Sequence, residues 1–449
     1  MIGLGASGEA AARLALSQGG STYVSDLRSD ASTSTRAERL RALGAVVELG
    51  SHDLARITAA GTVVVSPGVP PDAPVLRELR EARVSWISEP EFAVRFYEGP
   101  LIAVTGTNGK TTTAALAAHL LERSGVDAAL GGNVGSGLAP AASELALRPR
   151  PPKWYVLELS SFQLAGVERL QPDIGVVTNL SPDHLDRYAS VEAYFSDKAR
   201  LFQNATPRSR WVLNGDSPDV LSLAGNAAGE RFLFSRMSRP KRGAFLRGSR
   251  LVLTDVAAEG SGEEELLDAE DLSLLGDHNV ANALAAALTA RLAGADVEGI
   301  RAGLRAFPPL PHRLEPVIER DGVLWVNDSK ATNVEAARSA VESLGRPLVV
   351  LLGGKDKGED FTSLAETLKG RVRYAVLYGE ARRRLAEALG AQVPHLKIEG
   401  SFEDAVSEAD RVAKAGDAIL LAPACSSFDM FRDYEERGER FASLARGSE

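Results

Sequence analysis

A single cysteine, Cys425, stands in a chain of 449 residues. That excludes an internal disulfide and any metal site built from several thiolates, and it suits a reducing compartment. Excess positive charge is also missing. The 51 basic residues are outnumbered by 60 acidic ones, for a net charge of −9. No nucleic-acid partner is expected, and any anionic ligand is left to local positive sites. Long apolar runs are absent too. Leu348 to Leu352 is among the most apolar stretches and falls far below the ~18 residues of a membrane span, so no membrane insertion is expected. Only Met1 and Ile2 precede Gly3, with no basic and no apolar segment of the signal-peptide kind. No short-period repeat is visible, which sets aside a solenoid or a propeller.

What is present is ordinary globular composition, 44% apolar, over a length that calls for two or three domains. Short apolar runs alternate with helical patterns, the signature of βαβ units and mostly parallel sheets in an α/β fold. Three zones emerge, at 1–97, 98–307 and 308–449. The first holds Gly3-Leu4-Gly5-Ala6-Ser7-Gly8 and the strands Thr22–Val24 and Thr62–Val65. The second holds strands at Ile102–Val104, Trp154–Leu157 and Ile174–Val177, a turn-rich stretch at 237–265 that reads as irregular or hairpin structure, and a helix from Asn279 to Ala293. Pro308-Pro309-Leu310-Pro311 is a linker candidate. Strands at Val323–Val326, Leu348–Leu352, Tyr374–Leu377 and Ala418–Leu421 follow in the third zone.

The strongest motif is Thr105-Gly106-Thr107-Asn108-Gly109-Lys110-Thr111-Thr112, between a buried strand and a helix. Such a turn aims backbone N–H groups and a lysine at one point, where a polyphosphate binds. The common nucleotide loop has four residues between its first glycine and Gly-Lys. Gly106 and Gly109 leave two, so this is a shorter loop. Lys110 would meet the β- and γ-phosphates of a nucleotide and Thr111 a magnesium ion. Gly3, Gly5 and Gly8 fit G-x-G-x-x-G, with Asp26 at the distance of a ribose-binding acid. A tight βα turn that needs small residues explains the same glycines equally well. Glu158 ends a strand on the ligand side of the sheet, either as a magnesium ligand or as a solvent-facing acid. Asp183-His184 and Asp186 follow another strand. His184 suits a metal or a phosphate, while the aspartates suit the cap of the next helix. Lys198, from the residues alone, is an ordinary surface lysine. Asn279 and Asn282 open an alanine-rich helix as caps or as contacts to a nucleotide base.

The third zone carries polar clusters at strand ends: Asn327-Asp328-Ser329-Lys330-Ala331-Thr332-Asn333, Gly353-Gly354-Lys355-Asp356-Lys357-Gly358, and Ala422-Pro423-Ala424-Cys425-Ser426-Ser427-Phe428-Asp429. His312-Arg313 lies just past the linker. Their placement predicts one shared rim, made positive by Arg313, Lys330 and Lys357.

Together these motifs resemble the Mur ligase family over essentially the whole chain. Thr105–Thr111, Leu275-Gly276-Asp277-His278-Asn279 with Asn282, and His312-Arg313 match at family level. Glu158-Leu159-Ser160-Ser161-Phe162-Gln163-Leu164, Asn327–Asn333 and Ser426–Asp429 match the branch that adds D-glutamate. The resemblance implies three domains: a Rossmann-like N-terminal domain for a uridine nucleotide, a central P-loop ATPase-type parallel sheet with helices, and a Rossmann-like C-terminal domain for the amino acid. It implies a monomeric cytoplasmic enzyme that uses ATP and Mg²⁺ to join D-glutamate to UDP-N-acetylmuramoyl-L-alanine through an acyl phosphate. It makes Thr111, Glu158, His184 and a carbamylated Lys198 metal ligands. Lys110, Asn279, Asn282, Arg313 and Asp328 would hold ATP. Ser7, Gly8, Asp26, Arg28, Ser66, Gly68 and Asn133 would hold the nucleotide sugar, and Lys330, Thr332, Lys357, Ser427 and Tyr434 the D-glutamate. Three rivals remain from the sequence: a related amide ligase of other amino-acid specificity, a nicotinamide or flavin oxidoreductase built on Gly3–Gly8, and a non-catalytic nucleotide-binding module.

Overall fold

The structure, a computed structural model, describes residues 1–447 apart from 136, 185, 186, 258, 259 and 391. Asp186 therefore lies outside the described residues. Two compact units are formed: Met1–Leu180 with Ala189–Asp268 and Asn282–Leu304, and Ser181–Tyr188 with Ala269–Ala281 and Arg305–Glu449.

The first unit opens with a small parallel sheet. Tyr23–Asp26 pairs with Val46–Leu49, and Val64–Val65 with Ile87–Ser88. Ile2 bridges Ser25 on one side and Val65 on the other. One residue thus serves as the first strand, and the order becomes that of a doubly wound fold. Gly8, on the helix Ala6–Ser17, packs so close to the loop before it that a Cβ would lie 2.0 Å from the Gly3 carbonyl oxygen. Only glycine allows that helix–loop approach.

The larger sheet has nine strands among the described residues. Leu101–Thr105 lies at its heart, between Trp154–Glu158 and Ile174–Val177, parallel to both. All five of its residues are buried, which is why it reads as an unbroken apolar run rather than an alternating one. Ala128–Gly132 forms one edge. On the other side come Arg210–Asn214 and Glu230–Ser235, then Gly243–Arg247, Arg250–Thr254 and Glu263–Asp268. The last three strands pair antiparallel, so the turn-rich stretch at 237–265 takes the hairpin form.

A buried acid joins the two sheet systems of this unit. Glu89 is fully buried, and its Oε1 accepts the Ser143 N–H at 2.5 Å. Burial pushes its carboxyl from 4.5 up to about 7. The folded chain keeps this proton over a range in which the unfolded chain releases it, so the contribution falls as pH rises from 4.5 to about 7. The shift corresponds to about 3 kcal/mol. Glu89→Gln keeps the shape without the titration. Its thermal midpoint is expected to fall less steeply than wild type between about pH 5 and about pH 8, with the variant the more stable at the upper end.

The second unit is built on a sheet ordered Glu315–Arg320, Val323–Asn327, Ala418–Leu421, Leu348–Gly353, Val372–Tyr378, Leu396–Ile398. The first pair is antiparallel and the others are parallel. Val323–Asn327, Ala418–Leu421 and Leu348–Gly353 are neighbours, so their carboxyl ends open on one edge. Helices cover both faces, over two separate apolar clusters. Among the described residues no helix is long and apolar enough to cross a membrane.

Candidate active site

In the first unit the strand Leu101–Thr105 runs into the short glycine loop and then the helix Lys110–Arg123. Gly109 starts that helix in the left-handed region (φ +79°), and no side chain caps it. The loop therefore lies at the positive end of the helix dipole, where an anion is favoured. A Cβ on Gly109 would also lie 2.3 Å from Asn282 Oδ1. Gly109→Ala is therefore expected to combine left-handed strain of about 1–2 kcal/mol with a clash against Asn282. A lower thermal midpoint and weaker ATP binding would be measured together.

The rest of the loop is pinned from the next strand end. Thr107 N–H donates to Asn179 O at 2.9 Å, and Asn108 N–H to Asn179 Oδ1 at 2.9 Å. Thr178 Oγ1 donates to Asn108 O at 2.6 Å. Lys110 Nζ donates to Thr107 O at 2.7 Å, which folds the ammonium over the loop. Thr111 Oγ1 donates to Glu158 Oε2 at 2.7 Å, and Asn133 Nδ2 to Glu158 Oε1 at 3.3 Å. Glu158 is thus a buried strand-end carboxylate aimed at the start of the helix. Asn133, placed by the resemblance with the nucleotide sugar, sits on Glu158.

Lys198, the apparent surface lysine, is 1% exposed. Its Nζ donates to Gly106 O at 2.6 Å and lies 4.7 Å from the centre of the Tyr194 ring. Tyr194 OH in turn donates to Thr107 Oγ1 at 3.2 Å. The helix Val191–Ala199 that carries both is capped by Ser190 rather than by Asp183. Ser160 likewise has a local duty, a capping box with Gln163 on the helix Ser161–Leu164.

The nucleotide-sugar candidates form their own group at the ends of Tyr23–Asp26 and Val64–Val65. Asp26 Oδ2 accepts the Leu4 N–H at 2.6 Å, and Oδ1 the Arg28 N–H at 2.8 Å, with the Arg28 guanidinium alongside. Burial pushes the Asp26 carboxyl up, but Arg28 and the amides hold it below its usual range. Ser7 and Gly8 lie in the first turns of the helix Ala6–Ser17, Ser66 is buried beside Gly3, and Gly68 is in the turn after Val65.

In the second unit the three strand-end clusters are hydrogen-bonded to one another. Asp328 N–H donates to Leu421 O, Ala424 N–H to Ala331 O and Lys355 N–H to Ser426 O. Lys330 Nζ lies 3.7 Å from the centre of the Tyr434 ring, and Ser329 Oγ donates to Tyr434 O at 2.7 Å. Lys357 Nζ donates to Asp183 Oδ1 at 2.8 Å, and Asn333 Nδ2 to Asp183 Oδ2 at 3.2 Å. Thr332 and Ser427 belong to the same rim through these loops. Beneath it lies a residue the sequence reading missed, Arg437, whose side chain is fully buried. Its guanidinium donates to Ser329 Oγ, Ser329 O, Cys425 O and Ser426 O, tying two rim loops together. In Glu435-Glu436-Arg437-Gly438-Glu439 it reads as surface charge.

His312 and Leu314 both have positive φ, 61° and 44°, so Arg313 sits in a strained turn of the kind kept at functional sites. Burial pushes the Asp328 carboxyl up to about 7, opposed by the Leu314 amide and by Arg313. Asn279 Nδ2 donates to Leu275 O at 2.7 Å, at the start of the helix Asp277–Leu292. His184 has φ 56° and belongs to the second unit, whereas Glu158 and Lys198 belong to the first.

Comparison with known proteins decides the family. The model for the Mur ligase middle domain matches residues 104–290, that for the Mur ligase glutamate ligase domain 312–425, and that for the Mur ligase MurD-like N-terminal domain 1–88. The chain belongs to the Mur ligase family. Relatives of this Mur ligase include the UDP-N-acetylmuramoylalanine–D-glutamate ligases of Acidobacterium capsulatum, 41% identical over 99% of this chain and 95% of that protein, and of Geotalea uraniireducens, 40% identical over 99% and 96%. Solved structures share the fold. A pseudomurein peptide ligase type C from Methanothermus fervidus is 21% identical, with a TM-score of 0.63 over 99% of both chains. A ligase from Thermotoga maritima in complex with ADP is 15% identical, with a TM-score of 0.59 over 95% of this chain and 90% of that one. This Mur ligase is therefore an enzyme that makes a bond, which sets aside the oxidoreductase reading of Gly3–Gly8.

Proposed function

We propose that this Mur ligase uses ATP to join D-glutamate to UDP-N-acetylmuramoyl-L-alanine in peptidoglycan precursor synthesis, as a cytoplasmic monomer. The observation that carries the ATP half is the uncapped helix start at Gly109, with Lys110 folded over the loop and Thr111 against buried Glu158. Full-length similarity to D-glutamate ligases supports the amino-acid half.

The reaction needs two anions, a carboxylate and a triphosphate, brought in line. Lys110 and the first-turn amides of the helix would hold the β- and γ-phosphates. Asn279, Asn282 and Asp328 would place the rest of the nucleotide, and Arg313 would face the γ-phosphate. Mg²⁺ would bind at Thr111 and Glu158, where its charge neutralises the phosphates. The pairing of a hydroxyl with a buried carboxylate fits such a hard cation, which needs few protein ligands beside water and phosphate. His184 and Lys198 would complete a second magnesium site, with Lys198 carbamylated. The neutral amine adds to CO₂ and releases a proton, which turns a cation into a carboxylate-like ligand.

The L-alanyl carboxylate then attacks the γ-phosphorus, and the bond to ADP breaks. The product is an acyl phosphate. D-Glutamate would be held by Lys330, Thr332, Lys357, Ser427 and Tyr434, with its carboxylates on the last four, and its amine attacks the carbonyl carbon. The tetrahedral adduct loses phosphate, and the amine its proton, leaving the amide. Ser7, Gly8, Asp26, Arg28, Ser66, Gly68 and Asn133 would anchor the nucleotide sugar.

Purified protein is expected to release phosphate from ATP only with the nucleotide sugar and D-glutamate both present. An amino-acid panel tests the choice of amine. Equal turnover with L-glutamate or another amino acid contradicts the proposal.

A further inference from the structure

Three elements of the second unit converge on one carboxylate. Asp183 comes from the loop Ser181–Tyr188, Asn333 from the cap of the helix Val334–Glu342, and Lys357 from the loop after Leu348–Gly353. Asp183 Oδ1 accepts from Lys357 Nζ at 2.8 Å and from the His184 N–H at 2.8 Å. Its Oδ2 accepts from Asn333 Nδ2 at 3.2 Å and lies 3.8 Å from His184 Nε2. The side chains of Asp183 and Lys357 are each only 8% exposed. Burial pushes the Asp183 carboxyl up, yet Lys357 and His184 overcome that and hold it well below the usual carboxylate range. A second acid, Glu359, stands farther from the ammonium, at 3.5 Å, and its Oε2 accepts the Val334 N–H. Of these two carboxylates, Asp183 is the closer to Lys357.

The same carboxylate supports an unfavourable backbone. His184 has φ 56°, a left-handed conformation uncommon for a residue with a side chain. The bond from its N–H to Asp183 Oδ1 closes on that turn.

We propose that Asp183 is a positioning residue that sets Lys357 for the amino acid. The proposal rests on the reading of Lys357 as a holder of the D-glutamate carboxylates. A substrate carboxylate meets a lysine already held in place, so less side-chain freedom is lost on binding.

Asp183→Asn keeps the size but removes the charge and one of the two acceptor oxygens. Steady-state kinetics of the full-length enzyme should show the KM for D-glutamate raised at least about tenfold, with the KM for ATP moved less than about threefold. A merely structural role would move both together. Lys357→Met supplies the second arm. If Asp183 acts through Lys357, the double variant has the same D-glutamate KM as Lys357→Met alone, the non-additivity expected of coupled groups. An unchanged D-glutamate KM in Asp183→Asn, or losses that multiply in the double variant, would overturn the proposal. Should Asp183→Asn not melt cooperatively, Asp183→Glu carries the test. Its longer arm displaces Lys357 with the charge kept, so the D-glutamate KM rises and the ATP KM stays; no rise overturns the proposal. Wild-type turnover that ignores D-glutamate would overturn the underlying reading and this proposal with it, whereas a D-glutamate-dependent wild type with an unaffected variant overturns the proposal alone.

Discussion

Lys110→Ala lowers the rate of D-glutamate-dependent phosphate release by about a thousandfold. The side chain is the cation of the phosphate loop, and its Nζ rests 2.7 Å from Thr107 O, inside the loop it completes. Charge develops on the γ-phosphate oxygens during transfer, and a preorganised cation there is worth about 3–4 kcal/mol. That amounts to two to three powers of ten in rate. Folding should survive, because Lys110 is the first residue of a helix in which alanine is well tolerated. The check is kcat for phosphate release beside a thermal melt. Lys110→Arg should recover only part of the rate, since a planar fork replaces a point charge. A Lys110→Ala enzyme at near wild-type kcat would remove the loop from the mechanism.

Lys198→Ala is expected to be as damaging, for a different reason. An ammonium with 1% exposure is costly to bury. Its contacts include a carbonyl at 2.6 Å and the face of Tyr194, and a carbamate would exchange that cation for a metal-binding anion. Loss of the ligand should lower kcat by at least about a hundredfold, the upper end of what losing a ligand's outer-shell partner costs. Formate or acetate should restore part of the activity in Lys198→Ala by filling the vacated volume with a carboxylate. Lys198→Arg, which forms no carbamate, should be inactive and not rescued. Wild-type activity should also fall in buffer stripped of CO₂ and recover with bicarbonate. Full activity of Lys198→Ala would discard the carbamate.

What could be read from the sequence was mostly local. The phosphate loop is contiguous, so strand, glycines, lysine and helix all show within Ile102–Thr113. The positive rim was legible as polar clusters at three strand ends, because strand polarity in an α/β sheet puts such ends on one edge. Contacts across long stretches of chain were not legible. Lys357 finds Asp183 across 174 positions, and nothing near either residue announces the pair. Arg437 hides in a run of charges because only the fold shows what it is packed against. Lys198 looks like a surface residue for the same reason. Strands with mixed exposure, such as Glu315–Arg320 at the sheet edge, lack the apolar run that betrays a central strand. The first strand is reduced to Ile2, too short for any periodicity.

The central claim is that the carboxylate of the nucleotide sugar is activated by phosphoryl transfer before D-glutamate attacks. UDP-N-acetylmuramoyl-L-alanine carrying heavy oxygen in its alanyl carboxylate tests this directly. With ATP and D-glutamate, one labelled oxygen should appear in the inorganic phosphate released and one should stay in the new amide. Phosphate released without label, or phosphate released without D-glutamate-containing product, would contradict the account.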